Sequence, residues 1–87
     1  MARRLDQPQK ALGLAIRRRR NERDLRASDV ATRANVNVTH YSRLENGRVN
    51  PSWGTVRRVA EVLELTVSEL AARAERIEAD ELGRDEP

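Results

Sequence analysis

The chain has 87 residues, 36% of them charged and 38% hydrophobic, with one Trp, one Tyr, no Phe, no Cys and a formal net charge of +3. That length makes a single domain with a small core, so well-formed helices or a partner chain must contribute to its stability. Without cysteine there is no disulfide framework and no thiolate metal site. No run approaches the ~20 apolar residues of a membrane span. The N-terminus has no apolar signal region, so the protein is expected in the cytoplasm with no membrane partner. Two aromatic side chains cannot form a stacking platform for single-stranded bases.

The charge is uneven. Residues 1–26 hold nine Arg or Lys against three acids, and residues 75–87 hold six acids against two Arg. A basic front favours a polyanionic partner, and an acidic back keeps the attraction one-sided.

Met1 to Asp6 has two arginines and no periodicity, and residues 1–7 are expected to form a flexible basic arm. A first helix begins near Pro8, which is pre-set for a first turn, with Leu12, Ala15 and Ile16 as its buried stripe. The run Arg17-Arg18-Arg19-Arg20 puts a cation at every azimuth, so at least one must lie near the core. Leu25 is apolar and is assigned to the core. The stretch from Ala27 to Asn46 reads as a short helix, a tight turn and a second short helix. Val30, Ala31 and Ala34 share one helical face. Asn35 sits where the chain must turn, because Asn tolerates left-handed φ/ψ. Asn37 can cap the second helix, in which Tyr41 and Leu44 point inward while Val38, Thr39, Ser42 and Arg43 stay outside. Gly47 ends that helix, and Arg48 to Pro51 form a loop.

Ser52 caps a fourth helix whose stripe is Trp53, Val56, Val59/Ala60 and Leu63, with Trp53 expected as a lid on the core. Thr66-Val67-Ser68-Glu69 is a capping box. The fifth helix carries the stripe Val67, Leu70, Ala74 and Ile77. Beyond about Ala72 this stripe is expected to outrun its own core and to meet a partner helix, so Leu70, Ala74 and Ile77 are candidate dimer contacts. Gly83 to Pro87 are expected to be disordered.

From Leu12 to Leu70 the chain resembles the helix-turn-helix of the phage repressor and Cro family, also called XRE-like. The resemblance is carried by Ala31 at the helix crossing, Val36 after the turn, and Tyr41-Ser42-Arg43-Leu44-Glu45-Asn46-Gly47. Asn50-Pro51-Ser52 and Val59-Ala60-Glu61-Val62-Leu63 add to it. It implies an all-α, five-helix lambda-repressor-like DNA-binding domain over residues 8–72, with the helix-turn-helix at 27–46. A C-terminal helix extension and acidic tail over 73–87 would follow. It also implies that Arg20 pairs with Glu45, orienting the recognition helix on helix 1.

The sequence departs from the family in places. Arg19 stands where an apolar residue is usual, so its stem should cross apolar surface with its head in water. Asp24 replaces a helix-end Gly at some conformational cost. Arg26 replaces a Ser/Thr cap, and Ala27 a Gln that normally reaches phosphate.

The resemblance implies that double-stranded DNA is the partner and that the recognition helix enters the major groove, where each base pair shows its own pattern of donors, acceptors and methyls. By position match, Val38, Thr39, Ser42 and Arg43 face base edges. Arg26, Ala27, Ser28, Asn37, His40, Asn46, Arg48 and Asn50 border the backbone, Ala27 through its helix-end amide. A homodimer would read a palindrome, with recognition helices roughly 34 Å apart. The role implied is an autoregulating repressor or controller-type transcriptional regulator.

One His, no Cys and isolated glycines leave no catalytic, metal or phosphate-cradling constellation, so neither an enzyme nor a cofactor is expected. No small-molecule ligand is expected either. The competing reading is a protein-interaction module, such as an antitoxin or a co-activator bridge, with the acidic tail as its interface.

Overall fold

The computed structural model describes residues 7–83. It holds α1 (Gln7–Glu22), α2 (Ala27–Arg33), α3 (Val38–Glu45), α4 (Trp53–Val62) and α5 (Val67–Ile77), followed by one wide helical turn over Glu78–Leu82. Among the described residues there is no strand, and no helix is long and apolar enough to cross a membrane. The arm at residues 1–6 and the end at 84–87 lie outside the described residues.

Four helices end in the same way. After α1, α2, α3 and α4 the chain passes through one residue with positive φ: Asp24 (55°), Asn35 (57°), Gly47 (70°) and Glu64 (59°). In each case the next residue's amide reaches back to a carbonyl five positions earlier: Leu25 to Arg20, Val36 to Ala31, Arg48 to Arg43 and Leu65 to Ala60, at 2.8–3.1 Å. This closure satisfies carbonyls that have no partner within the helix. Three of the four sites lack glycine and so carry a steric cost. Asp24 and Asn35 fall where the residue types point to such a turn; Glu64 gives no such signal.

The starts are also capped locally. Asn37 Oδ1 accepts from the Thr39 and His40 amides at 2.8 and 3.2 Å. Ser52 Oγ accepts from the Thr55 amide at 3.1 Å. Thr66 and Glu69 form the reciprocal capping box at 3.0 and 2.8 Å. α2 has half of one: Asp29 accepts from the Arg26 amide at 3.2 Å, but a guanidinium has no acceptor to return.

α1 is the axis of the core. It packs against α3 on one side and against α5 and the closing turn on another. Its buried residues are Ala11, Gly13, Ala15 and Ile16, while Leu12 is only half-buried, so the stripe lies slightly to one side of the expected one. Gly13 sets the approach to α3: a Cβ there would stand 2.5 Å from the carbonyl oxygens of Leu44 and Glu45.

The four consecutive arginines of α1 are all held by other parts of the molecule. Arg17 donates to Asn46 Oδ1 at 2.7 Å. Arg18 makes a two-pronged pair with Glu81, at 2.7 and 2.8 Å. Arg19 donates through Nε to the Leu63 carbonyl at the end of α4, at 2.9 Å, and pairs with Glu22. Arg20 holds Glu45 and the Leu25 carbonyl. The expectation that Arg19 keeps its head in water is therefore corrected: the head satisfies a helix-end carbonyl.

Two further expectations are overturned. Trp53 is no lid on the core; it is 66% exposed. It lies in the first turn of α4 at the margin of the apolar stripe. On the inner side of that turn Thr55 is buried and its hydroxyl completes the cap with Ser52, at 3.0 Å. The α5 stripe does not outrun its core either. α1 extends alongside α5, so Leu70 is fully buried, Ile77 is buried and Ala74 half-buried, with Leu82 packed against the same cluster. Leu70 and Ile77 thus have no exposed face to offer as dimer contacts, and the packed unit continues past residue 72. Gly83, expected to be disordered, closes the wide turn with its amide on the Glu78 carbonyl.

Candidate nucleic-acid interface

α3 presents two faces because its buried side chains recur at three-residue spacing on one side of every turn, with the others left outside. Tyr41 and Leu44 are fully buried. Val38 (51% exposed), Thr39, Ser42 and Arg43 form the outward face. Asn37 fixes where the helix begins and thereby the rotation that keeps this face out. Its side-chain oxygen is used by the cap. His40 is half-buried at the margin.

A charged knot beneath the outward face ties α3 to α1. Glu45 has only 6% of its side chain exposed. It accepts from Arg20 Nε at 2.6 Å and Nη2 at 3.0 Å, and from the Tyr41 hydroxyl at 2.5 Å. Arg17 Nε stands 3.5 Å from its other oxygen. Burial opposes the charge on Glu45, but the hydrogen bonds from Arg20 and Tyr41 outweigh it and hold the carboxyl below its ordinary pKa. Burial, together with the bond to Glu45, pushes the Tyr41 hydroxyl well above the usual phenol range. The planar fork of Arg20 matches a carboxylate in two bonds, which fixes an angle as well as a distance. Such a pair need not add net stability, because desolvation opposes the attraction. What it supplies is one orientation of α3 on α1.

The end of α3 is equally constrained. Asn46 Nδ2 donates to the Ser42 carbonyl at 2.9 Å while its Oδ1 accepts from Arg17. A Cβ on Gly47 would meet Lys10 Cα at 2.7 Å, so its contact with α1 requires glycine and its positive φ favours it. The closure behind Gly47 projects Arg48 from the loop. Among the described residues neither Arg43 nor Arg48 has a side-chain hydrogen bond or ion pair, although both are exposed. Asn50 is exposed in the same loop.

The other backbone candidates are less favourably placed. Arg26 and Ser28 are exposed at the start of α2 and Ala27 is half-buried. The Asp29 carboxylate turned toward the Arg26 amide puts negative charge at that helix start, which weakens its pull on phosphate. Asn46 has both ends of its amide engaged within the protein. Sequence reasoning passed over Arg17: nothing in a run of four arginines marks which one reaches the recognition helix. No group of three or more potential metal ligands occurs among the described residues.

A family profile described as a helix-turn-helix domain matches residues 11–74. The chain is 42% identical over 55 residues to the HTH-type transcriptional regulator DdrOP3 of Deinococcus deserti. That match covers 63% of this chain and 43% of the regulator, so the chain spans less than half the length of that relative. It is 34% identical over 61 residues to the ImmF control region 10 kDa protein of Bacillus phage phi105, covering 70% of this chain and 68% of the phage protein. Among solved structures, the clp gene regulator ClgR from Corynebacterium glutamicum superposes with a TM-score of 0.85 at 24% identity. It covers 90% of this chain and 83% of its own, and shows the likeness of fold. A second ClgR structure gives 0.76 at 26% identity, over 79% of this chain and 88% of that one.

Proposed function

The chain belongs to the helix-turn-helix domain family, of the phage repressor and Cro-like type, and from that premise we propose that it is a sequence-specific, double-stranded-DNA-binding transcriptional regulator. α3 enters the major groove, and the reading surface is Val38, Thr39, Ser42 and Arg43. Arg43 can form two parallel bonds to O6 and N7 of guanine; Val38 can touch only an apolar group such as a thymine methyl. Arg26, Ser28, Arg48 and Asn50 set register on the phosphates, with Asn37 and His40 at the edge. The observation that carries this reading is the contrast on one short helix. Its inner face is locked by Asn37, Glu45 and Gly47, while its outer face carries an arginine with no partner among the described residues.

One α3 reads too few base pairs to be specific, so the active species is a homodimer on a two-fold symmetric operator. The pairing face is moved here from α5 to the region of Trp53. Trp53 projects beside an open groove of about 820 Å³ between α4 and the start of α5, lined in part by Leu65, Val67 and Ala71. A projecting ring beside a partly apolar groove, which Arg57, Arg58 and Glu61 also line, allows two copies to exchange them symmetrically. With concentration setting the dimer fraction, activity follows concentration without a ligand, which fits an autoregulating repressor.

The competing protein-module reading would use the acidic end, where Glu81 is already paired with Arg18 of the same chain. Selection from a random duplex pool tests the proposal. A regulator enriches one motif with two-fold symmetry and protects both halves in a footprint. Enrichment of no motif, or equal binding to every duplex, overturns it.

A further inference from the structure

Arg58 lies on α4, outside every element assigned to DNA, and reaches into the helix-turn-helix. Its Nε donates to the Ala34 carbonyl at 2.9 Å. Ala34 closes α2 immediately before Asn35, the positive-φ residue of the turn. Carbonyls at a helix end have no partner within the helix, and a cation there also meets the negative end of the helix dipole. The same device recurs where Arg19 takes the Leu63 carbonyl at the end of α4.

Arg58 is also tied to the loop after α3. Its Nη2 stands 3.5 Å from Thr55 Oγ1, which accepts from Ser52 Oγ at 3.0 Å. A Cβ at Gly54 would approach Arg58 Nη1 to 3.3 Å, so Gly54 leaves the guanidinium room. A chain of polar contacts therefore joins the loop that ends at Ser52 to the turn from which α3 departs.

We infer that Arg58 is a positioning residue for sequence reading. It clamps the turn between α2 and α3 to α4, fixing the angle of α3 relative to the loop that carries Arg48, without touching DNA itself. The inference rests on the DNA-binding reading for its functional consequence but not for the clamp.

The test uses the full chain with Arg58→Met, which keeps the stem and removes the donors, and Arg58→Lys, which restores one donor and the charge. Amide exchange is measured on the free protein, and affinity is measured for a selected duplex and a scrambled one across a salt series. In Arg58→Met the Asn35 and Val36 amides exchange several-fold faster while the Tyr41 amide does not. The ratio of selected to scrambled affinity falls about tenfold, the salt slope is unchanged, and Arg58→Lys recovers most of the ratio. Equal loss on both duplexes with a slope reduced by about one unit would make Arg58 a phosphate contact and overturn the inference. An unchanged affinity ratio, or unchanged exchange at the turn, would also overturn it. If Arg58→Met does not fold, Arg58→Lys must still show a smaller loss in the ratio than Arg58→Gln. If the wild type binds no duplex, the functional proposal fails, and the exchange measurement alone decides whether the clamp exists.

Discussion

The arginines of α1 and those at the end of α3 are the same residue type with opposite fates. Arg17, Arg18, Arg19 and Arg20 are all held by acceptors of the same chain: the end of α3 for Arg17 and Arg20, the closing turn for Arg18, the end of α4 for Arg19, and the loop after α1 for Arg20 as well. Arg43 and Arg48 stand exposed without such partners among the described residues. The densest basic stretch in the sequence is therefore structural, and the sparser one is proposed to meet the DNA. Neither charge density nor a missing acceptor alone locates a polyanion site, since Arg33, Arg57 and Arg76 are also exposed without a partner among the described residues; what sets Arg43 apart is its place on the outward face of α3.

Breaking the first set should cost stability in proportion to burial. Arg20→Ala leaves Glu45 buried with weaker partners and should lower unfolding free energy by about 3 kcal/mol, read by chemical denaturation. The same knot sets a pH dependence. The folded pKa of Glu45 lies below its ordinary value, so its contribution is present above the unfolded value of ~4.3 and is lost as pH falls through the folded one. Thermal midpoints should drop on acidification below roughly pH 4.5, and Glu45→Gln should flatten that drop. A variant that acidifies like the wild type would remove Glu45 from the account.

Gly13→Ala attacks the distance that lets Arg17 and Arg20 reach α3. Its Cβ would collide with backbone carbonyls rather than with a side chain that can move, and the expected loss is about 2 kcal/mol. A neutral or stabilising result would mean that α1 and α3 separate freely. In the second set, Arg48→Ala should leave unfolding unchanged within about 0.5 kcal/mol. It should also weaken selected and scrambled duplexes alike and reduce the salt slope by about one unit. Arg18→Ala is the smallest stability loss expected among the α1 arginines: its pair with Glu81 is exposed, so denaturation should shift by less than about 1 kcal/mol.

What the sequence made legible is what depends on neighbours in the chain. The caps at Asn37, Ser52 and Thr66, the turns at Asn35 and Gly47, and the inward pair Tyr41 and Leu44 follow from residue type and spacing, whereas the turn at Asp24 rests on the family resemblance. The pairing of Arg20 with Glu45 was reached only through a family resemblance. What stayed hidden depends on how helices meet in space. Trp53 shares a helical period with Val56 and Ala60, yet no other helix covers the first turn of α4. The α5 stripe reads as surplus until α1 is seen to run beside it. Arg17 and Arg58 reach partners 29 and 24 residues away, and nothing local marks them. Of the interface, the outward face of α3 was legible from period alone, while its role in reading bases is a proposal that geometry supports.

The most direct test of that role compares wild type with Arg43→Ala on two duplexes at one salt concentration, one carrying the selected motif and one scrambled. If α3 reads bases in the groove, the substitution costs about 1–3 kcal/mol on the selected duplex and little on the scrambled one. An equal loss on both duplexes, or no loss on either, would contradict it.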